Sequence, residues 1–405
     1  MSLPLHLVST ENPHGLLTAL EGVLNREHAI VPVADITGVS HRSRAELFPE
    51  RVPDDVALVI RTSGSTGVPK NVALSAEALR ASASAAEVAL GGAGQWVSVL
   101  PTHLISGVNT YLRSLVAGYA PVEGYTGPFT ARTFLDDLER ASANRVYASL
   151  VPAQLHRLLE HLEEHPQERK RAQRLDAILV GGQGVPYSWR ERAAKLEIPL
   201  RRSYGSTETC GGCVYDGVEI GDTRVRIRAG QVQIAGPTLA QGYLGDSEQT
   251  ERVFVTEGET RWYHTGDTGE ILGGVLRVTG RLDSVIISGG INVSLDAVEN
   301  VVRDVPGWSD AIVVGQHDER WGQVPVVIMS EADAQRELLS ADASSWDTEG
   351  RSRGAEALSR IAEVVREALG AAAVPRALRV VPAIHYLPGG KPDRGFRYEN
   401  EGYLV

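Results

Sequence analysis

The stretch RTSGSTGVPKNVALS, residues 61–75, follows a short apolar run and combines glycines, hydroxyl residues and one lysine. Glycine lets the backbone approach a ligand closely, and successive N–H groups in such a loop form a concave site for anions. Hydroxyl side chains add donors, and Lys70 adds a point charge. The stretch therefore predicts a phosphate-binding loop, although ordinary Gly/Ser turns have a similar composition.

The spacing of this stretch differs from the best-known phosphate and nucleophile motifs. Pro69 stands where a Walker A loop has its second glycine, and Asn71 follows the lysine. Neither G-x-G-x-x-G nor G-x-S-x-G occurs in the chain. These differences argue against a P-loop enzyme, a dinucleotide-dependent enzyme and a serine hydrolase.

Size and charge narrow the class of protein further. The chain has 405 residues, which suits two or three domains, and its net charge of −11 argues against a nucleic-acid partner. The N-terminus MSLPLHLVSTENPHG lacks the features of a signal peptide, and no apolar run reaches the length of a membrane span. With only two cysteines, a reducing, cytoplasmic location is expected by default.

The first half of the chain alternates between strand and helix patterns. Residues 54–61 predict a buried strand, and the stretch that follows them predicts a loop. Residues 75–90 then predict a helix with Ser75 as its N-cap. The alternation continues to about residue 182, including one helix from 153 to 173. It predicts an α/β domain with largely buried strands.

The second half changes character. After about residue 215 short β segments and turns predict a mostly antiparallel region. Ser294 is expected to cap a new helix, and residues 330–354 are expected to form an exposed excursion. Residues 355–370 predict a final amphipathic helix. The last 120 or so residues thus predict a separate, small α+β domain.

Five segments in a fixed order resemble the core motifs of the adenylate-forming superfamily, which includes acyl- and aryl-CoA ligases, peptide-synthetase adenylation domains and luciferases. They are TSGSTGVPK (62–70), RSYGSTET (202–209), YHTGDTGE (263–270), GRLDSVIISGG (280–290) and LPGGKPDR (387–394). Each is weak alone, but five in order form a specific signal.

This resemblance implies a fold and a division into domains. A large N-terminal α/β domain of mixed sheets with a β-rich subdomain would span residues 1–282, and a small mobile α+β domain would span 283–405. Asp283 would be the hinge at which the small domain rotates between two half-reactions. The N-terminus would be shortened, because only about 60 residues precede the phosphate loop.

The resemblance also implies an ATP site. Tyr204 would lie against adenine, Asp267 would accept both ribose hydroxyls, and Arg281 would hold the ribose and phosphate side, with Gln183 at the adenine edge. Together with Lys70, the residues that would hold the β- and γ-phosphates are Thr62, Ser63, Gly64, Ser65, Thr66 and Gly67.

Three residues would act at the reacting phosphate. Thr207 would bind the α-phosphate, Glu208 would ligate Mg²⁺, and Lys391 would bridge the attacking carboxylate and the α-phosphate. Outside the motif set, a surface glutamate and a surface lysine are the ordinary interpretations. In the segment ISGGIN, Gly289 and Gly290 would line the tunnel for the pantetheine arm of CoA.

The acid is indicated by further segments: PTHLISGV, ASLVPAQLHRLL, ILVGGQGVP and ETCGGCVYDG resemble the o-succinylbenzoate–CoA ligases of menaquinone biosynthesis, especially actinobacterial ones. An aromatic carboxylate, ATP with Mg²⁺, and CoA are then the expected small-molecule partners. Three alternative functions stay open: another aryl- or acyl-CoA ligase, an enzyme that loads a carrier protein, and an inactive nucleotide-binding homologue. A homodimer is a further open expectation. The implied pocket residues are His103, Ser149, Gly181, Gly182, Gly205 and Ser206.

The segment CGGC invites a metal or redox interpretation. Cys210 and Cys213 form a single C-x-x-C pair without the second pair of ligands that a zinc site needs. The start of a thioredoxin-like unit is missing as well. We therefore expect two structural cysteines in a loop at the pocket wall.

Overall fold

The computed structural model describes residues 2–34, 48–62, 69–124, 127–338, 348–386, 392–394, 396–398 and 401–404. Its α-helices within this part are α1 (Pro13–Leu24), α2 (Ala76–Ala89), α3 (Ile105–Val116), α4 (Ala131–Glu139), α5 (Pro152–Glu164), α6 (Arg169–Ala172), α7 (Tyr187–Lys195), α8 (Ser247–Val253), α9 (Leu295–Asp304), α10 (Glu331–Leu338) and α11 (Thr348–Leu369).

The first sheet has six strands in the order β15-β5-β4-β2-β1-β3 and is mixed. Its strands are β1 (Ser2–Ser9), β2 (Ala29–Val33), β3 (Arg51–Pro53), β4 (Leu58–Thr62), β5 (Lys70–Leu74) and β15 (Gly242–Tyr243). Residues 70–74, predicted as loop, are a strand because β5 pairs antiparallel with both β4 and β15. Pairing with β15 involves a distant part of the chain, which local sequence does not reveal.

The second sheet has seven strands in the order β12-β11-β10-β9-β8-β6-β7. They are β6 (Gln95–Ser98), β7 (Val122–Glu123), β8 (Val146–Leu150), β9 (Ala177–Gly181), β10 (Leu200–Ser206), β11 (Gly211–Tyr215) and β12 (Val218–Glu219). The five strands from β10 to β7 run parallel, so their carboxyl ends lie at one edge. All five residues of β8 are buried, as expected for a parallel strand covered on both faces.

The third sheet contains only antiparallel pairs. Its strands are β13 (Arg224–Arg228), β14 (Gln231–Ala235), β16 (Phe254–Glu257), β17 (Thr260–Leu272) and β18 (Val275–Arg281). The β-rich region predicted after residue 215 is therefore confirmed.

The fourth sheet comes from the C-terminal part and has a core of its own. Its strands are β19 (Val285–Ser288), β20 (Ile291–Ser294), β21 (Ile312–Asp318), β22 (Gly322–Ser330), β23 (Ala377–Val381) and β24 (Tyr403–Leu404). Helices α9 and α11 cover it through Val298, Val302 and Ile361, which are fully buried. A 3-10 turn, Leu282–Ser284, connects it to β18. The predicted fold class, a large α/β domain of mixed sheets and a smaller C-terminal domain, is confirmed.

Two predicted helix caps are confirmed. Ser75 Oγ accepts from Ala78 N at 3.1 Å, and Ser294 Oγ accepts from Ala297 N at 3.2 Å. These bonds satisfy backbone donors that the first turn of a helix leaves without partners.

Two other predictions at the helix level are wrong. Residues 330–354, predicted as an exposed excursion, include helix α10 and the start of α11, because one face of each helix packs on the C-terminal core at Ala334 and Ala357. Residues 339–347 of this range lie outside the described part of the chain. The helix predicted from 153 to 173 breaks at Pro166, since proline cannot donate the backbone bond that would continue α5.

No helix in the described ranges combines the length and apolar character that crossing a bilayer requires.

Candidate active site

Three of the sequence-predicted nucleoside residues meet in one cluster. The Tyr204 hydroxyl donates to Asp267 Oδ2 at 2.7 Å, and Arg281 Nη1 donates to Asp267 Oδ1 at 3.1 Å. Asp267 and Arg281 are register partners on β17 and β18, and Tyr204 comes from β10 of another sheet. An ionised carboxylate accepts hydrogen bonds only, which is the chemistry that a diol requires.

The cluster continues into the predicted hinge. Arg281 Nε donates to Asp283 Oδ1 at 2.7 Å and Arg281 Nη2 to Asp283 Oδ2 at 3.1 Å, which is a bidentate pair. The hydrogen bond to Asp283, followed by the charges of both carboxylates, raises the pKa of Arg281. The backbone N–H of Arg281 donates to Asp296 Oδ2 of α9 at 2.9 Å. Arg281 thus joins the nucleoside cluster to the C-terminal domain.

The predicted metal ligand, Glu208, and the predicted phosphate lysine, Lys70, both contact one tyrosine. The Tyr243 hydroxyl donates to Glu208 Oε1 at 2.9 Å, and Lys70 Nζ lies 5.1 Å from the centre of the Tyr243 ring. Burial and the charge of Glu208 raise the pKa of Tyr243, so its hydroxyl stays a donor at neutral pH. The Glu208 carbonyl also accepts from Ala240 N at 2.8 Å, which places the 3-10 turn Thr207–Thr209 beside β15.

The predicted phosphate loop connects two paired strands. Thr62, the last residue of β4, and Lys70, the first of β5, are register partners, and Thr62 Oγ1 donates to the Lys70 carbonyl at 3.5 Å. Ser63, Gly64, Ser65, Thr66 and Gly67 lie outside the described residues. The described ends place the loop at the end of the hairpin on which Lys70 stands.

The predicted acid-pocket residues lie at the carboxyl edge of the second sheet. Ser149 is near the end of β8 and Gly181 ends β9, where it is paired with Ser203 of β10. Open α/β sheets commonly bind ligands at this edge. His103 follows β6, the next strand in the sheet, and burial lowers the pKa of its imidazole below 6.5, so the ring is neutral at pH 7.

Several residues at this edge are glycines where a larger side chain would not fit. A Cβ on Gly205 would lie 2.1 Å from the Gly211 carbonyl oxygen, and one on Gly181 would lie 2.9 Å from the Ser203 carbonyl oxygen. Gly182 has φ +87°, a conformation that side chains disfavour. Ser206 follows Gly205 at the position before the turn of Thr207, which is 9% exposed, and its backbone N–H donates to Thr209 Oγ1 at 2.9 Å. Gln183 follows the two glycines after β9.

The predicted CoA glycines lie apart from these clusters. Gly289 and Gly290 form the two-residue turn between β19 and β20, and both have positive φ. Gly289 N donates to the Trp321 carbonyl at 2.8 Å, and both residues belong to the C-terminal domain.

The other predicted lysine, Lys391, lies outside the described residues. The segment that contains it is flanked by a bridge between Tyr386 and Pro392 and by a hydrogen bond from Asp393 N to the His385 carbonyl at 2.8 Å. Arg394 then binds Asp296 at 2.6 Å and Glu299 at 2.8 Å, both on α9.

Both cysteines are free thiols in the core of the N-terminal domain. Burial raises the pKa of Cys213 to about 12 and raises that of Cys210 as well, so neither is a thiolate at neutral pH. Among the residues that the structure describes, no group of three metal-ligating side chains occurs.

Sequence reasoning missed Tyr243 and Arg394. Tyr243 carries no charge and stands in no recognised motif, so its only signal is the pairing of β15 with β5. Arg394 is the last residue of LPGGKPDR, but only its ion pairs with α9 show its contacts.

Two family models match the chain. The model "AMP-binding enzyme" matches residues 14–253, and the model "AMP-binding enzyme C-terminal domain" matches residues 297–391. The "Probable 2-succinylbenzoate–CoA ligase" of Mycobacterium tuberculosis is 40% identical over 289 residues, 70% of this chain and 73% of that protein. The 2-succinylbenzoate–CoA ligase of Staphylococcus aureus is 30% identical over 71% of this chain and 60% of that protein.

Solved structures share the fold. The o-succinylbenzoate CoA synthetase of Bacillus subtilis, in complex with its acyl-adenylate intermediate, matches with a TM-score of 0.72 and 20% identity over 99% of this chain and 89% of that one. The amide bond synthetase of Marinactinospora thermotolerans matches with a TM-score of 0.70 and 24% identity over 97% and 79%. At these identities the likeness concerns the fold alone, whereas the family models and the mycobacterial relative show that this chain belongs to the AMP-binding enzyme family, with the 2-succinylbenzoate–CoA ligases.

Proposed function

We propose that this chain is an AMP-forming acid–thiol ligase that adenylates 2-succinylbenzoate with ATP and transfers the acyl group to CoA, a step of menaquinone biosynthesis. The observation that carries the proposal is the cluster of Tyr204, Asp267 and Arg281, three residues from separate motifs that meet in direct contact. It supports a nucleoside site, and the 40% identical relative supports the acid.

The first half-reaction joins the acid to AMP. A carboxylate oxygen of the acid attacks the α-phosphorus of ATP, the bond from that phosphorus to the bridging oxygen breaks, and pyrophosphate leaves. Catalysis of such a step rests on positioning and on stabilising charge at the phosphate. Lys70 and the loop 62–67 would hold the β- and γ-phosphates, and Thr207 would bind the α-phosphate. Lys391 would bridge the attacking carboxylate and the α-phosphate.

The metal assignment rests on Glu208. Its carboxylate is half-buried, and in the described part of the chain Tyr243 is its one recorded hydrogen-bond donor. One hard oxygen ligand beside substrate phosphates is the usual way in which proteins hold Mg²⁺, so the residues present fit this ion. When bound, Mg²⁺ would neutralise phosphate charge.

The second half-reaction forms the thioester. The CoA sulfur attacks the acyl carbon, AMP leaves with the bonding electron pair, and the thiol proton passes to water. Rotation of residues 283–405 about Asp283 would bring Gly289 and Gly290 to the pantetheine arm. A neutral His103 at the pocket edge, with Ser149, would orient the aromatic acid by hydrogen bonds.

A panel of carboxylic acids, followed by pyrophosphate release and by mass spectrometry of the CoA ester, tests the function. We expect 2-succinylbenzoate with free CoA to have the highest kcat/KM. Exclusive use of a carrier protein, or pyrophosphate release only with another acid, would contradict the proposal. The cytoplasmic location and a homodimer stay predictions, which fractionation and light scattering address.

The role of Lys391 is tested by separating the half-reactions. We expect Lys391→Ala to lower adenylation by about a hundredfold or more, because a charge contact at the transition state is lost. Thioester formation from supplied acyl-adenylate should be largely spared. Equal losses in both half-reactions would contradict this role.

A further inference from the structure

Two groups of opposite charge that the proposed function assigns to ATP and its metal both contact one aromatic side chain. Tyr243 donates its hydroxyl to Glu208 at 2.9 Å and presents its ring to Lys70 Nζ at 5.1 Å. Within the described ranges, no ion pair joins Lys70 to Glu208. Tyr243 therefore contacts both charged groups at once while neither neutralises the other.

The position of Tyr243 is held from several sides. Strand β15 pairs with β5, and Tyr243 lies opposite Val72, two residues after Lys70. Its backbone N–H donates to Thr250 Oγ1 at 2.9 Å. Its ring centre lies 6.2 Å from that of Phe254, and the side chain is 7% exposed. These contacts fix the place of the ring beside both charged groups.

A direct Lys70–Glu208 contact would interfere with the reaction. A carboxylate paired with an ammonium is a weaker ligand for a cation, and the paired ammonium is a weaker partner for phosphate. The Tyr243 hydroxyl instead orients one carboxylate oxygen by a charge-assisted hydrogen bond, and the ring gives Lys70 a cation–π contact.

We propose that Tyr243 is a positioning residue that orients Glu208 for the metal on ATP and prevents Lys70 from pairing with it. The inference rests on the proposed function for its ligand, Mg·ATP. It assigns different tasks to two parts of one side chain, the hydroxyl and the ring, and these parts can be removed separately.

The test measures nucleotide binding by calorimetry, without acid and without turnover. The probe is a non-hydrolysable ATP analogue, titrated once with excess Mg²⁺ and once with EDTA. Tyr243→Phe should weaken binding of the Mg²⁺ complex about tenfold, since a hydrogen bond to a charged group is lost, and leave binding in EDTA unchanged. Tyr243→Leu should weaken both, because Lys70 can then reach Glu208.

Tyr147→Phe is the matched control. Its hydroxyl donates to the carbonyls of Leu90 and Gly92, at 3.1 and 2.9 Å, in another part of the N-terminal domain. It should lower the melting temperature and leave both affinities unchanged. If Tyr243→Leu does not fold, Tyr243→Met, which also removes the ring, takes its place.

Tyr243→Phe binding equal to that of the wild type, or weakened equally with and without Mg²⁺, would overturn the inference. A wild type that binds the Mg²⁺ complex but does not convert 2-succinylbenzoate would sink the acid assignment and leave the role of Tyr243 standing. A wild type that binds no nucleotide would overturn both.

Discussion

At the scale of single residues, the nucleoside cluster depends on the charge of Asp267. This carboxylate accepts from both Tyr204 and Arg281, and the charge of Asp267 adds to burial in raising the pKa of Tyr204. An ionised carboxylate accepts hydrogen bonds only, which suits two ribose hydroxyls. The chemistry of the cluster is therefore sensitive to replacing one oxygen.

Asp267→Asn tests this dependence. We expect kcat/KM for ATP to fall about tenfold to a hundredfold, because the amide has one acceptor oxygen and faces Arg281 with no charge. The measurement is pyrophosphate release as a function of ATP. Asp216→Asn, a change at a surface carboxylate paired with Arg201 and Arg202, is the control and should keep its activity. A KM for ATP in Asp267→Asn equal to that of the wild type would contradict the ribose assignment.

Gly205 is a second residue at which the structure allows little variation. An alanine Cβ there would meet the Gly211 carbonyl oxygen at 2.1 Å, directly before the Thr207–Thr209 turn. We expect Gly205→Ala to lower the free energy of unfolding by about 2–3 kcal/mol through overpacking, measured in urea. Gly230→Ala, with positive φ but open space, should cost about 1 kcal/mol. Equal costs would show that the close contact is unimportant.

At the scale of elements, helix α9 links the lysine segment to the nucleoside cluster. Arg394 binds Asp296 and Glu299 on this helix, and Asp296 also accepts from Arg281 N. The Glu299 side chain is only 7% exposed, and its Oε2 also accepts from Val313 N at 2.9 Å. Arg394, three residues after Lys391, is thus held by ion pairs with one helix.

Arg394→Gln tests that dependence. We expect adenylation to fall while thioester formation from supplied acyl-adenylate is retained, because Arg394, close in sequence to Lys391, loses its ion pairs with α9. The free energy of unfolding should fall by about 2 kcal/mol, since Glu299 keeps other partners. Arg277→Gln, at an exposed pair with Glu270, is the control and should change stability by less than about 1 kcal/mol. Equal loss of both half-reactions would argue against positioning of Lys391.

At the scale of the whole molecule, the C-terminal domain contacts helix α7 as well as the predicted hinge. Tyr187 N donates to Asp304 Oδ1 at 2.7 Å, and the Arg303 guanidinium lies 5.9 Å from the Trp189 ring centre. These contacts, together with Leu282–Ser284, define one arrangement of the two domains. The proposed mechanism needs a second arrangement for the thiol step.

Asp283→Pro tests the hinge. Proline restricts φ at residue 283 and limits the change of arrangement. We expect the two half-reactions, measured separately, to lose rate unequally, and the overall rate of CoA-ester formation to fall at least as much as the slower one. Asp283→Ala is the control, because it removes the same carboxylate without restricting φ. Rates unchanged in Asp283→Pro would contradict the hinge assignment.

The pH dependence of stability also belongs to the whole molecule. Burial lowers the pKa of His103, His156 and His264 below 6.5, so the unfolded chain takes up these protons at higher pH than the folded one. The free energy of unfolding should therefore be fully present above pH 6.5 and fall as the solution is acidified below it. Urea unfolding at pH 7.5 and 5.5 measures this. His156→Gln should lessen the fall, and His14→Gln, at an exposed position, should not.

The sequence by itself determined the strand–helix alternation of the first half, the β-rich region after residue 215, two helix caps and the strand at β8, and it predicted Tyr204, Asp267 and Arg281 as nucleoside residues. These depend on local composition: a serine before a helix, an apolar run between turns, a motif of fixed spacing. The tertiary structure alone decided that residues 70–74 form a strand, that Tyr243 contacts both Lys70 and Glu208, and that Arg394 binds α9. Tyr243 and Glu208 are 35 residues apart, and such contacts follow from strand pairing and domain packing, which no local pattern encodes.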